Sequence, residues 1–132
     1  MSIIEWEDKL VKQNTYTIWI RTGDDALAGT DSNVFIQLFG TTGKTESIHL
    51  PARDIFSFEA GGTDQYVLEV PDIGDLTRCC IGHDDSEGDS GWYVVDVRIA
   101  DDETDREWLF TFNQWIGKAE SGKLFACVDL SH

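Results

Sequence analysis

Residues Ala28-Gly29-Thr30-Asp31-Ser32-Asn33-Val34-Phe35-Ile36 carry a small, turn-forming, acidic cluster straight into a strand whose apolar residues sit at Val34, Ile36 and Leu38. Just before it, Tyr16, Ile18 and Ile20 alternate with Thr17, Trp19 and Arg21. A period of two turns alternate side chains to opposite faces, so each run reads as a strand with one buried face. Working outward, strand-length runs recur near 14–22, 33–40, 44–50, 64–70, 76–82, 92–100, 106–113 and 123–130, with Gly and Asp between them. Thr41-Thr42-Gly43 reads as a tight hairpin between the second and third. Glu107-Trp108-Leu109-Phe110-Thr111-Phe112 and Leu124-Phe125-Ala126-Cys127-Val128 are the clearest later strands, rich in residues that pack well on a pleated surface. Helix signals are few. The expected fold is therefore all-β, a sandwich of two four-stranded antiparallel sheets. Val34, Ile36, Leu68, Val70, Trp92, Val95, Val97, Phe110 and Phe112 are the expected core.

Residues 1–13 read differently. Ile3, Ile4, Trp6, Leu10 and Val11 interleave with Glu5, Glu7, Asp8, Lys9 and Lys12 without strand alternation. They are taken as an N-terminal extension, whether strand, short helix or linker, and residues 14–132 as a single domain. With 132 residues, 41% of them apolar, the chain can bury a sizeable core.

Twenty-five acidic residues against 10 basic ones give a net charge of −15 and a pI near 4.2. Nucleic acid is excluded as a partner, because neutralising phosphates takes clustered Lys and Arg. An anionic membrane repels this chain unless cations gather first. Most of the carboxylates need no explanation beyond solubility, and a monomer is expected. No stretch is long enough to cross a membrane, and no signal peptide is visible. The expected location is cytoplasmic or peripheral to a membrane. Of the three cysteines, Cys79 and Cys80 are adjacent and face opposite ways, and no CxxC pair is present. A disulfide framework or zinc site is not expected from that pattern, and all three are read as small buried residues.

The stretch Tyr16-Thr17-Ile18-Trp19-Ile20-Arg21-Thr22-Gly23, followed by Ala28 to Ile36, resembles the opening of the polycystin/lipoxygenase/alpha-toxin (PLAT) domain. Phe58-Glu59-Ala60-Gly61 with Asp64 and Tyr66 after it is similar to that family's Phe-Glu-Arg-Gly segment. Ile81-Gly82-His83-Asp84 and Gly91-Trp92-Tyr93-Val94-Val95-Asp96-Val97 resemble its His-Asp loop and Trp-containing strand. Phe110-Thr111-Phe112-Asn113-Gln114-Trp115-Ile116 resembles its closing segment, with Pro and Cys replaced. Four segments in order span residues 14–130. The resemblance implies a module that binds and positions while any catalysis lies in a separate domain. The residues agree: there is no Gly-x-Ser-x-Gly elbow and no phosphate-cradling Gly-rich loop. His83, three residues after Cys80, is read as a loop cap or a partner for Trp rather than a base.

Calcium takes six to eight oxygen ligands, best supplied by flexible Asp/Gly loops. The resemblance implies a calcium site built from Gly29, Asp31, Glu59 and Asp89, at one end of the sandwich. Leu27, Ser57 and Ser90 stand where the family pattern places Asp, with Asp25, Asp54 and Asp89 nearby as substitutes. The competing reading is of ordinary acidic loops, with Asp31 and Asp64 hydrogen-bonded to loop backbone. The resemblance also places Trp115 at a membrane-contact position, and Leu27 lies on the first loop. Ala26 and Glu87, at the other tips, make a poor wedge. Together these point to a non-catalytic module for lipid, membrane-surface or protein binding under calcium control. The alternatives are an acidic adaptor for a basic protein and an accessory domain of a lipid-modifying enzyme.

Overall fold

The structure, a computed structural model, describes residues 12–54, 57–86, 91–117 and 124–130. The extension expected at residues 1–13 lies almost wholly outside them. Eight strands follow in order: β1 (Gln13–Thr22), β2 (Val34–Gly40), β3 (Ile48–Leu50), β4 (Thr63–Pro71), β5 (Leu76–His83), β6 (Trp92–Asp101), β7 (Glu107–Ile116) and β8 (Phe125–Asp129). They form two four-stranded antiparallel sheets, ordered β4-β1-β6-β7 and β3-β2-β5-β8. The chain crosses between sheets after β1, β3, β4, β5 and β7. The crossings after the four odd-numbered strands lie at one end of the sandwich, because each of those strands runs toward it, and the β4–β5 crossing lies at the other.

Alternation drives the packing. Tyr16, Ile18 and Ile20 of β1 face Val34, Ile36 and Leu38 of β2 across the interior, joined by Trp92, Val97, Ile99 and Phe110, all essentially without solvent contact. Burying side chains of this size contributes about 1.5–3 kcal/mol each, the main term opposing chain entropy. Val34, Ile36, Val70, Trp92, Val97, Phe110 and Phe112 are buried as expected, and Leu68 is half-buried at the core margin. Val95 departs from expectation. The β6 register shifts between Val94 and Asp96, so Val95 is skipped in the pairing and points outward while Val94 and Val97 stay inside. A β-bulge breaks the period of two, and that break turns one valine to the surface.

The third strand is shorter than the expected 44–50. Thr45 takes over the ladder: its N–H donates to the Leu38 carbonyl at 2.8 Å, and its Oγ1 accepts from the Leu38 N–H at 3.0 Å. Regular pairing with β2 resumes only at Ile48. The turn itself closes as read, with the Gly40 N–H donating to the Gly43 carbonyl at 2.8 Å.

The cysteine expectation is corrected. Cys79 is buried and free, but Cys80 and Cys127 form a disulfide, their Cα atoms 4.0 Å apart. Cys79 and Cys80 do face opposite ways. Cys80 lies on the outer face of β5, and β8 pairs with β5 in the register that sets Cys127 directly opposite. That register joins residues 47 apart in sequence, a pairing that local pattern does not reveal.

Candidate functional site at the crossing end

Backbone hydrogen bonds draw three loops together where the chain crosses between sheets. The Thr22 N–H donates to the Gly62 carbonyl, that of Gly61 to Gly23, that of Thr30 to Phe58, and that of Tyr93 to Ala28, all at 2.8–3.0 Å. Gly29 is required there: a Cβ built on it would sit 2.7 Å from the Phe58 carbonyl oxygen. Phe58 is fully buried at φ 57°, a conformation that bulky residues rarely adopt. It is held by its neighbours, since its N–H donates to Asp64 Oδ2 at 2.9 Å and its ring packs against Tyr66 and edge-on to Trp92. Burial pushes the Asp64 carboxyl above its usual range, against the pull of the Phe58 N–H.

The third loop is tied to the first by Asp84. Its carboxylate accepts from the Asn33 backbone N–H, the Asn33 side-chain amide and the Ser86 N–H, at 2.8–3.1 Å. The Asn33 side chain and then Ser86 hold the Asp84 carboxyl at about 2, below the ordinary 3.8. A depressed carboxylate lends stability that is complete above the unfolded value and is lost as pH falls through the folded one. The tie should therefore loosen between about pH 4 and pH 2. Protection of the Asn33 and Ser86 amides, relative to their intrinsic exchange rates, should fall across that window, and Asp84→Asn should abolish that fall.

His83 and Cys80 supply neither base nor nucleophile. His83 is buried, with Nε2–H donating to the Ile116 carbonyl at 2.7 Å and Nδ1 accepting from the Asp85 N–H at 3.1 Å. A carbonyl only accepts and an amide only donates, so both ring nitrogens are committed. Its ring also sits edge-on to Trp92, while Cys80 is in the disulfide.

The residues expected to bind calcium are placed unevenly. Gly29 meets the Phe58–Ala60 backbone, which brings the first loop beside Glu59. Asp25, Asp31, Asp54 and Glu59 are exposed. Asp25 Oδ1 accepts from the Leu27 N–H at 2.9 Å, the role of a turn-forming aspartate. Asp89 and Ser90 lie outside the described residues. Among the described residues, no three Asp, Glu, His or Cys side chains come close enough to hold one ion. They do not by themselves fit calcium.

The contact residues are well defined. Leu27 is 77% exposed at the tip of the first loop. Trp115 is half-buried near the end of β7, its ring 5.4 Å from that of Tyr93 at an interplanar angle of 77°. Tyr93 and Trp115 are direct cross-strand partners, and with Asp24 and Asp25 they line an open cavity of about 520 Å³. Tyr93 escapes the sequence reading as a contact residue. Only the β6–β7 register could have pointed to Tyr93.

Residues 16–125 match the family model of the PLAT/LH2 domain. The chain belongs to the PLAT/LH2 domain family. This PLAT domain is 36% identical over 112 residues to human lipoxygenase homology domain-containing protein 1, which covers 84% of the chain and 5% of that protein. It is 33% identical over 115 residues to mouse polycystin-1-like protein 3, covering 83% of the chain and 5% of that protein. It also superposes on the crystal structure of coral 8R-lipoxygenase with a TM-score of 0.74 at 27% identity, over 89% of the chain and 17% of the enzyme. That lipoxygenase is described as activated by calcium via a C2-like domain. The PLAT domain is thus a small accessory part of much longer proteins, and this chain spans about 5% of the length of the two curated relatives.

Proposed function

We propose that this PLAT domain is a non-catalytic binding module whose crossing end meets a zwitterionic lipid surface. The observation that carries the reading is Leu27, 77% exposed at the tip of the first loop, whose Asp24 and Asp25 line the same cavity as the half-buried Trp115. An apolar loop tip and an indole at the same end of the sandwich suit the membrane interface, where one end of the ring is apolar and the other wet. The net charge of −15 favours zwitterionic over anionic lipid. Co-sedimentation with phosphatidylcholine vesicles tests the reading, and Leu27→Asp should reduce the bound fraction several-fold. A chain that stays in the supernatant would leave the protein-adaptor reading, favoured by Phe125, 61% exposed on the outer face of β8 beside Phe35 of β2.

Calcium control belongs to the same proposal. It is supported by the likeness to the coral lipoxygenase and by the meeting of Gly29 with the Phe58–Ala60 backbone. With no cluster of three among the described residues, the ion would need Asp89 as well. At calcium one hundred times its dissociation constant, linkage adds about 2.7 kcal/mol of stability. The Tm should rise with calcium and much less with magnesium. Asp31→Asn and Asp89→Asn should each blunt the rise, while Glu46→Gln, between β2 and β3, should not. A Tm unmoved by calcium removes that control and leaves the vesicle reading standing.

A further inference from the structure

The cavity beside Trp115 has a chemistry of its own. Tyr93 and Trp115 stand nearly perpendicular, so two aromatic walls meet in a corner. Val95, turned outward by the β6 bulge, adds an apolar lining, and Asp24 and Asp25 of the first loop line the same cavity. Arg21 also lines the cavity, but its Nη2 lies 2.6 Å from Asp96 Oδ2, so its charge is matched and the negative charge of Asp24 and Asp25 remains. The Tyr93 wall needs glycine at position 23: its Cδ1 lies 2.7 Å from where a Cβ on Gly23 would be, so a side chain there would displace the ring.

We propose that this corner binds a quaternary ammonium group of the choline type. Aromatic faces attract cations through the negative face of the π-system, and the attraction grows when the cation sheds water easily. A trimethylammonium group does so, and its methyls match the apolar Val95. A primary ammonium is held more tightly by water and needs hydrogen bonds that rings do not supply. The two carboxylates add long-range attraction, and a cavity of about 520 Å³ has room for the group and its tether. This inference deepens the lipid-surface reading and rests on it only for the source of the group, which is either a phosphatidylcholine headgroup or a free choline-like solute.

The test uses tetramethylammonium chloride against the intact chain at constant ionic strength, followed by the NMR signal of the Trp115 indole N–H. The expected result is a saturable shift that the neutral isostere 3,3-dimethyl-1-butanol reproduces weakly or not at all. Trp115→Leu, followed on the Tyr93 ring signals, should weaken binding about tenfold. Asp24→Asn with Asp25→Asn should weaken it about threefold. Both aspartates are exposed, and Asn keeps the oxygen that accepts from the Leu27 N–H, so this pair guards against a folding artefact. Equal binding of the neutral isostere, or variants as tight as the parent, overturns the proposal. A trimethyllysine peptide binding a hundredfold tighter than tetramethylammonium would also overturn it, in favour of a protein tail. Vesicles separate the two sources. Phosphatidylcholine vesicles bound in competition with tetramethylammonium identify the headgroup. A tetramethylammonium shift without vesicle binding identifies the free solute and ends the lipid reading alone. Vesicle binding that neither tetramethylammonium nor Trp115→Leu affects keeps the lipid reading and ends this one.

Discussion

Reducing the Cys80–Cys127 disulfide should lower the stability of the domain by about 2–4 kcal/mol and its Tm by roughly 10 °C. The bridge closes a loop between residues 47 apart, for which the chain-entropy model gives about 4 kcal/mol at 25 °C. What it secures is β8, the edge strand of its sheet, which pairs there with β5 alone. Ala126, Val128 and Leu130 reach the core but are only partly buried, so β8 contributes less apolar area than the central strands. The parent in dithiothreitol and a Cys80→Ala/Cys127→Ala variant should melt at the same lowered temperature. A parent whose Tm ignores the reductant would show that the bridge constrains nothing. Cys79 should not interfere, because complete burial pushes its thiol far above the usual range and keeps the reactive thiolate from forming.

The strands were legible because two sheets packed face to face impose a period of two on every strand between them. Tyr16, Ile18 and Ile20 alone reveal which face of β1 is inside. Legibility failed where a local device interrupts that period. Thr45 satisfies the Leu38 N–H with a hydroxyl and shortens β3, and the bulge in β6 turns Val95 outward. It failed again where two distant residues meet only through register, as Cys80 meets Cys127 and Tyr93 meets Trp115. The loop carboxylates form a third class. Short acidic side chains in or beside tight loops reach backbone amides before anything else, as Asp25, Asp84 and, at the start of β4, Asp64 do. Composition marks the loops as acidic but does not say which carboxylates the fold has already used. The positions of Gly29 and Glu59 came from the family resemblance, and the structure brings their loops together without gathering three ligands among the described residues.

Phe110→Ala should cost about 3–5 kcal/mol, among the large losses expected from a point change in this domain. Phe110 lies mid-way along β7 opposite Val97 of β6, with no solvent contact. Truncation removes the transfer energy of the ring and leaves a cavity, because the core is walled by paired strands on both sides and cannot collapse into the gap. A domain of this size has on the order of 5–15 kcal/mol of stability in all, so the variant should sit near the limit of folding. The informative control is its neighbour. Leu109 is 48% exposed on the outer face beside Arg98, and Leu109→Ala should cost well under half as much. Urea denaturation of both variants, with the slope unchanged, reads the difference directly. The same comparison on β6 tests the bulge. Val97→Ala should lose distinctly more than Val95→Ala, because only Val97 fills the core. Equal losses at 95 and 97 would mean that the strand runs unbroken with Val95 inside. The apolar lining of the Tyr93–Trp115 corner would then be absent, and the reason for expecting a methylated cation there would go with it.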